Sequence, residues 1–91
     1  MTTTSQPAAL IIPALNEAPV IGETLRRVPA GLFRAVIVAD NGSTDGTADV
    51  ALAAGALVVR QAERGYGSAC LQALAALPSE IAIVVFMQAD G

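Results

Sequence analysis

Four short polar segments hold the side chains of this chain that can do chemistry, and each comes after an apolar run. They are Pro13-Ala14-Leu15-Asn16-Glu17, Asp40-Asn41-Gly42-Ser43-Thr44-Asp45-Gly46, Glu63-Arg64-Gly65-Tyr66-Gly67 and Gln88-Ala89-Asp90-Gly91. Polar loops are ordinary. An Asp directly after an apolar run, twice, is less so: Asp40 and Asp90 stand where an open parallel sheet presents ligands, at the carboxyl ends of its strands.

Each segment has a chemical reading beside a structural one. Asp40 can accept an N–H from the edge of uracil or guanine. Asn16 and Glu17 can hold ribose hydroxyls or orient Asp40, while Asn16 is also a natural helix cap. Asp45 reads as a cap, and Gly42 and Gly46 as turn glycines. Gly65 and Gly67 remove side chains where backbone must approach a bulky ligand. They lack the third glycine of a dinucleotide fingerprint. Arg64 suits either a phosphate or the solvated surface. Asp90 is a hard oxygen donor fit for Mg2+ or Mn2+ on a diphosphate.

The elements that must position these residues follow from the pattern around them. Residues 8–12 form a short apolar strand closed by Pro13. Pro19 suits the first turn of a helix whose apolar face is Val20, Ile21, Leu25 and Val28, and Pro29 with Gly31 ends it. Residues 35–39 are a second strand. A short helix follows over about residues 47–54, with Gly55 as its stop. Residues 56–60 are a third strand, 67–77 a helix ended by Pro78, and 81–87 a fourth strand. Strand and helix alternate as βαβαβαβ, which predicts an α/β fold with a parallel sheet and right-handed crossovers. The pattern does not give the order of strands in the sheet.

Composition agrees with a packed domain and excludes several functions. Of the 91 residues, 54% are hydrophobic, and the aromatics are only Phe33, Tyr66 and Phe86. Val, Ile, Leu and Ala must therefore make the core, as in buried parallel strands. The net charge is -3, and the five cations are all Arg with no basic run, so nucleic acid is not an expected partner. There is no His, which removes Ser-His-Asp and Cys-His mechanisms from these residues. The lone Cys70 reads as a buried thiol. A P-loop would need a lysine, and a dinucleotide-binding oxidoreductase would need glycines where Pro13-Ala14-Leu15-Asn16-Glu17 stands. The longest apolar run is far short of the ~20 residues of a membrane helix. A cytoplasmic protein is expected, with membrane association open for a longer form.

Taken together and in order, these segments resemble the family 2 glycosyltransferases, inverting enzymes of GT-A fold. The matching pieces are Ile11-Ile12-Pro13-Ala14-Leu15-Asn16-Glu17, Val36 through Thr47, Arg64-Gly65-Tyr66-Gly67-Ser68-Ala69, and Phe86-Met87-Gln88-Ala89-Asp90-Gly91. The glycine loop and the Ala-Asp-Gly ending look most like the branch that transfers sugars to polyprenyl phosphates. The resemblance implies a UDP- or GDP-linked sugar donor and an acceptor that includes lipid-linked phosphate. It places Pro13, Ala14, Asn16, Glu17, Asp40, Asn41, Gly42, Arg64, Gly65 and Gly67 at the donor nucleotide. It places Asp90, and more weakly Gln88, at a Mg2+ or Mn2+ ion.

Two positions depart from the family pattern. Gln88 stands where the first Asp of an Asp-x-Asp metal motif is usual, and Asn41 replaces the second Asp of Asp-Asp-Gly-Ser. The expectation is a disordered leader over residues 1–7, then the N-terminal, donor-binding part of a catalytic domain over residues 8–91. The general base is expected beyond Gly91. A non-catalytic nucleotide-binding module is the alternative. A fourth strand left at the sheet edge would make the chain prone to aggregate.

Overall fold

A computed structural model of the chain describes residues 7–60, 73–77 and 79–88. The described elements are β1 (Ala8–Ala14), α1 (Ala18–Arg26), β2 (Ala35–Asp40), α2 (Thr47–Ala53), β3 (Leu57–Arg60) and β4 (Ile83–Phe86). A helical segment at 73–75 precedes β4. It falls within the span 67–77 where a helix is expected; the earlier residues of that span, Cys70 among them, lie outside the described residues.

All three strand pairings are parallel, and the order is β3-β2-β1-β4. The chain winds outward from β1 to β3, then returns to add β4 on the other side of β1. The winding direction therefore reverses between β1 and β4, which is where open α/β sheets leave a crevice at their carboxyl ends.

Alternation along the strands divides the core in two. Leu10, Ile12, Ala14 and Val38 pack with Ile21 and Leu25 of α1 and Ala51 of α2. Ile11, Ile37 and Ala39 pack on the other face with Ala73, Val59, Leu77 and Val84. Ala9, Ile11, Ile12, Val38 and Ala39 have no exposed surface, because β1 and β2 are covered on both faces. Both edge strands are more open: Leu57 of β3 is 61% exposed and Phe86 of β4 is 50% exposed.

Several boundaries differ from those the sequence suggested. β1 does not stop before Pro13 but runs through it to Ala14, pairing Pro13 with Ala39 and Ala14 with Asp40. The reason is direction. The Ile11 carbonyl accepts from Met87 N–H at 3.1 Å, so residue 11 faces β4, and residue 13 faces the same way. The β1–β4 ladder ends at the pair Ile11 and Phe86, so no N–H is required of Pro13. β4 is shorter than residues 81–87. Pro7, placed in the leader by sequence, already belongs to the sheet's margin: its carbonyl accepts from Ala82 and Ile83 N–H at 2.9 and 3.2 Å.

Asn16 does not cap α1 with its side chain. Glu17 occupies the cap position, its carbonyl accepting from Val20 and Ile21, and Asn16 sits before it at φ 54. Asn is among the few residues that tolerate this left-handed conformation. Gly42, Gly46 and Gly55 also have positive φ, as turn and stop glycines should.

Candidate functional site

With every strand parallel, the β1–α1 loop, the β2–α2 loop, Arg60 and Gln88 all lie along one edge of the sheet. The first two loops are bolted to each other. Asn16 N–H donates to Ser43 Oγ at 2.9 Å, and Thr44 N–H donates back to Asn16 Oδ1 at 2.9 Å. Glu17 N–H donates to Thr47 Oγ1 at 2.9 Å, and Ala18 N–H to Asp45 Oδ2 at 3.1 Å. The β2–α2 loop thus satisfies the free N–H groups at the start of α1 from outside that helix. Asp45 also accepts from Thr47 N–H at 3.1 Å and from the Thr47 hydroxyl. The Thr47 hydroxyl, with the two backbone donors, holds the Asp45 carboxyl below its ordinary range, against the opposing effect of desolvation.

Asp40 is the last residue of β2 rather than the first of its loop, and it is fully buried. Its Oδ1 accepts from Ser43 N–H at 2.9 Å. Its Oδ2 lies 3.3 Å from Arg60 Nε, an ion pair without the alignment of a hydrogen bond, and has no hydrogen-bond partner among the described residues. Asn41 Oδ1 is likewise buried and unpartnered, while Asn41 N–H donates to the Ala14 carbonyl at 2.9 Å. Buried polar atoms are nearly always satisfied, so the free acceptor of Asp40, a residue that borders a cavity, is suited to an incoming donor.

Asp40, Ser43, Thr47 and Arg60 border a cavity of about 290 Å³. A larger one, about 350 Å³, is apolar, lies between Val28, Leu32 and Phe33 on one side and Val85 and Met87 on the other, and contains none of the expected site residues. The polar cavity is the better candidate because chemistry requires the groups that line it.

The structure therefore brings together Pro13, Ala14, Asn16, Glu17, Asp40, Asn41 and Gly42 from the expected set. Ala14 is buried as a carbonyl acceptor; Asn16 engages the second loop through its backbone N–H and its Oδ1, and Glu17 through its backbone N–H, rather than Asp40. Arg64, Gly65, Gly67 and Asp90 lie outside the described residues. Gln88 is exposed, just past β4. Among the described residues no group of three His, Cys, Asp or Glu side chains is assembled, and Gln88 contributes a neutral carbonyl. The expected metal ligand, Asp90, lies outside the described residues.

Sequence reasoning missed Ser43, Thr47 and above all Arg60. Each is a partner across loops or strands. The signal for Arg60 was its position at the end of a strand, matched to Asp40 at the end of another, and it needed the strand order to be read.

Comparison with known proteins agrees with this architecture. The family model for Glycosyl transferase family 2 matches residues 9–91. An uncharacterized glycosyltransferase of Mycobacterium tuberculosis is 43% identical over 82 residues, covering 90% of this chain and 36% of the relative. Glucosyl-3-phosphoglycerate synthase of Mycolicibacterium smegmatis is 38% identical over 93 residues, covering 90% of this chain and 30% of the relative. Crystal structures of glucosyl-3-phosphoglycerate synthase from M. tuberculosis superpose at a TM-score of 0.78, with 34% identity, over 93% of this chain and 34% of that one. That protein was crystallised with Mn2+, UDP and glucosyl-3-phosphoglycerate, and also with Mn2+, UDP-glucose and phosphoglyceric acid. The chain spans about a third of the length of the curated relatives it matches. A parallel sheet of GT-A type, with its loops gathered at the strands' carboxyl ends and a family match over nearly its whole length, belongs to glycosyl transferase family 2.

Proposed function

We propose that this chain forms the donor-binding part of an enzyme that transfers a sugar, with inversion, from a UDP- or GDP-linked donor. The observation that carries the reading is Asp40. Its carboxylate is fully buried at the end of a central strand, one oxygen is held by Ser43, and the other has no hydrogen-bond partner among the described residues. An imide N–H of uracil, or the N1–H of guanine, supplies the missing donor. UDP in the similar crystal structures favours uracil.

The reaction is a displacement. The acceptor oxygen bonds to the anomeric carbon as the bond from that carbon to the diphosphate breaks, and the nucleoside diphosphate leaves. The residues of this chain bind and orient the donor: Asp40 and Asn41 face the base, and Arg64 with the Gly65 and Gly67 backbone meets the phosphates. Mg2+ or Mn2+ held by Asp90, with weaker help from Gln88, would stabilise the charge on the leaving diphosphate when bound. No residue of this chain is assigned as the base that takes the acceptor's proton.

For the acceptor, phosphoglyceric acid in the similar structures favours a small phosphorylated acid over the polyprenyl phosphate suggested by the glycine loop. The test is titration of UDP and GDP into the protein at its natural length, with Asp40→Ala beside it. A charge-assisted hydrogen bond is worth about 1.5–3 kcal/mol, so affinity should fall roughly tenfold to a hundredfold. Undiminished affinity would sink the role of Asp40. Incubation with UDP-glucose and either 3-phosphoglycerate or a polyprenyl phosphate then separates the acceptors. Binding without transfer to either favours a non-catalytic nucleotide-binding module.

A further inference from the structure

Four of the five arginines fall among the described residues, and they are not alike. Arg26 and Arg27 pair with exposed Glu23, and Arg34 pairs with exposed Glu80 at 3.3 Å. Surface pairs of this kind contribute little. Arg60 alone among them reaches a buried carboxylate, Asp40.

The arrangement is a closed ring. Asp40 and Arg60 are register partners across the β2–β3 ladder, so their side chains rise from the same face of the sheet. Arg60 Nε stands 3.3 Å from Asp40 Oδ2, and Arg60 donates through its terminal nitrogen to the Ser43 carbonyl at 3.2 Å. Ser43 N–H closes the ring on Asp40 Oδ1 at 2.9 Å. A buried carboxylate needs a compensating charge, and its geometry is set by the groups that supply it. Here the guanidinium compensates Oδ2 without taking it as a hydrogen-bond acceptor. The consequence is an oriented oxygen without a hydrogen-bond partner among the described residues, in a residue that borders the same polar cavity as Arg60.

We propose that Arg60 is a positioning residue that sets base specificity: it holds Asp40 Oδ2 ready for a base bearing an N–H at its pairing edge and against a base presenting a lone pair there. This rests on the reading of the cavity as the donor site. Uracil and cytosine differ at that one atom, since N3 is a donor in the first and an acceptor in the second. A site built to accept from a donor rejects an analogue that cannot give one, because the buried acceptor is left unpaired and meets a second lone pair.

The experiment is calorimetric titration of UDP and CDP into the natural-length protein, its Arg60→Met variant and its Arg60→Lys variant. The unaltered protein should favour UDP. Arg60→Met should shrink the UDP-to-CDP affinity ratio by about tenfold or more. Arg60→Lys should keep part of the ratio, since it restores the charge but not the second contact to Ser43. A general loosening of the fold would weaken both nucleotides together and leave the ratio in place. An unchanged ratio in Arg60→Met overturns the inference while leaving the donor site intact. If Arg60→Met loses native circular dichroism, Arg60→Lys decides: a ratio equal to that of the unaltered protein overturns the proposal, and a reduced one supports it. Equal binding of UDP and CDP by the unaltered protein overturns this inference alone, and failure to bind both UDP and GDP overturns the donor-site reading and this inference with it.

Discussion

Asp45 caps a helix that begins 27 residues before it: its Oδ2 accepts the Ala18 N–H at 3.1 Å, across the gap between the β2–α2 and β1–α1 loops. The two loops that carry Asn16, Glu17, Asp40 and Asn41 therefore form one unit, and the site depends on its closure.

That closure should weaken in acid. The Thr47 hydroxyl lowers the Asp45 pKa, with the Ala18 and Thr47 N–H groups adding to it. A carboxyl whose folded pKa is depressed contributes stability above its unfolded value, near pH 4, and loses it as the pH falls through the folded value. Glu23, lowered chiefly by its hydrogen bond to Arg26, acts in the same window, so Asp45 accounts for part of the effect. Asp45→Asn should melt lower than the unaltered protein at pH 7, and the gap should narrow at pH 3. Thermal melts at the two values check this, and a gap that does not narrow refutes it.

Thr47 is buried at the centre of the clamp, accepting from Glu17 N–H and donating to Asp45. Thr47→Val keeps the shape but strands the Glu17 N–H. The expected cost is about 1–3 kcal/mol, the usual penalty for a buried donor left unpaired. Thr47→Ser keeps the hydroxyl and should lose less. Denaturant unfolding of the two variants gives the order, and the reverse order would show that packing, not the hydrogen bond, matters at this position.

Asp90 is the residue proposed to hold the metal, with Gln88 supplying no charge. Asp90→Asn should raise the Mn2+ concentration needed for half-maximal transfer by the natural-length protein, while Gln88→Ala should change it less. Unaltered transfer by Asp90→Asn at limiting Mn2+ would remove Asp90 from that role.

β4 lies at the edge of the sheet, pairs with β1 alone among the described residues, and exposes Ile83, Val85 and Phe86. An apolar, β-branched edge invites pairing with another chain. The 91-residue chain should scatter light at concentrations where Ile83→Lys stays clear. A sharp, cooperative melt of the unaltered chain as a monomer would contradict this.

Much of the molecule was legible because its signals are local. Apolar runs closed by Gly, Pro and Asp mark the strands, and the spacing of Val20, Ile21 and Leu25 marks α1. The alternation of strand and helix implies the parallel sheet, since parallel neighbours need a crossover between them. The order of four motif segments was specific enough to point to the family. Asp40 stands out in the sequence because an acid directly after an apolar run is conspicuous.

Only the tertiary structure decided what those residues touch. Asn16 looks like a cap in sequence and is instead half of a loop-to-loop clamp, because its partners Ser43 and Thr44 lie far along the chain. Pro13 looks like a strand end and lies within one, because the side of β1 it faces has already lost its neighbour. Arg60 looks in sequence like the polar end of a third strand and is the counter-charge to Asp40, because the order β3-β2-β1-β4 places their ends side by side. Local sequence fixes which backbone shape each segment prefers. Which segments become neighbours depends on contacts between residues distant in the chain, and no short-range pattern encodes them.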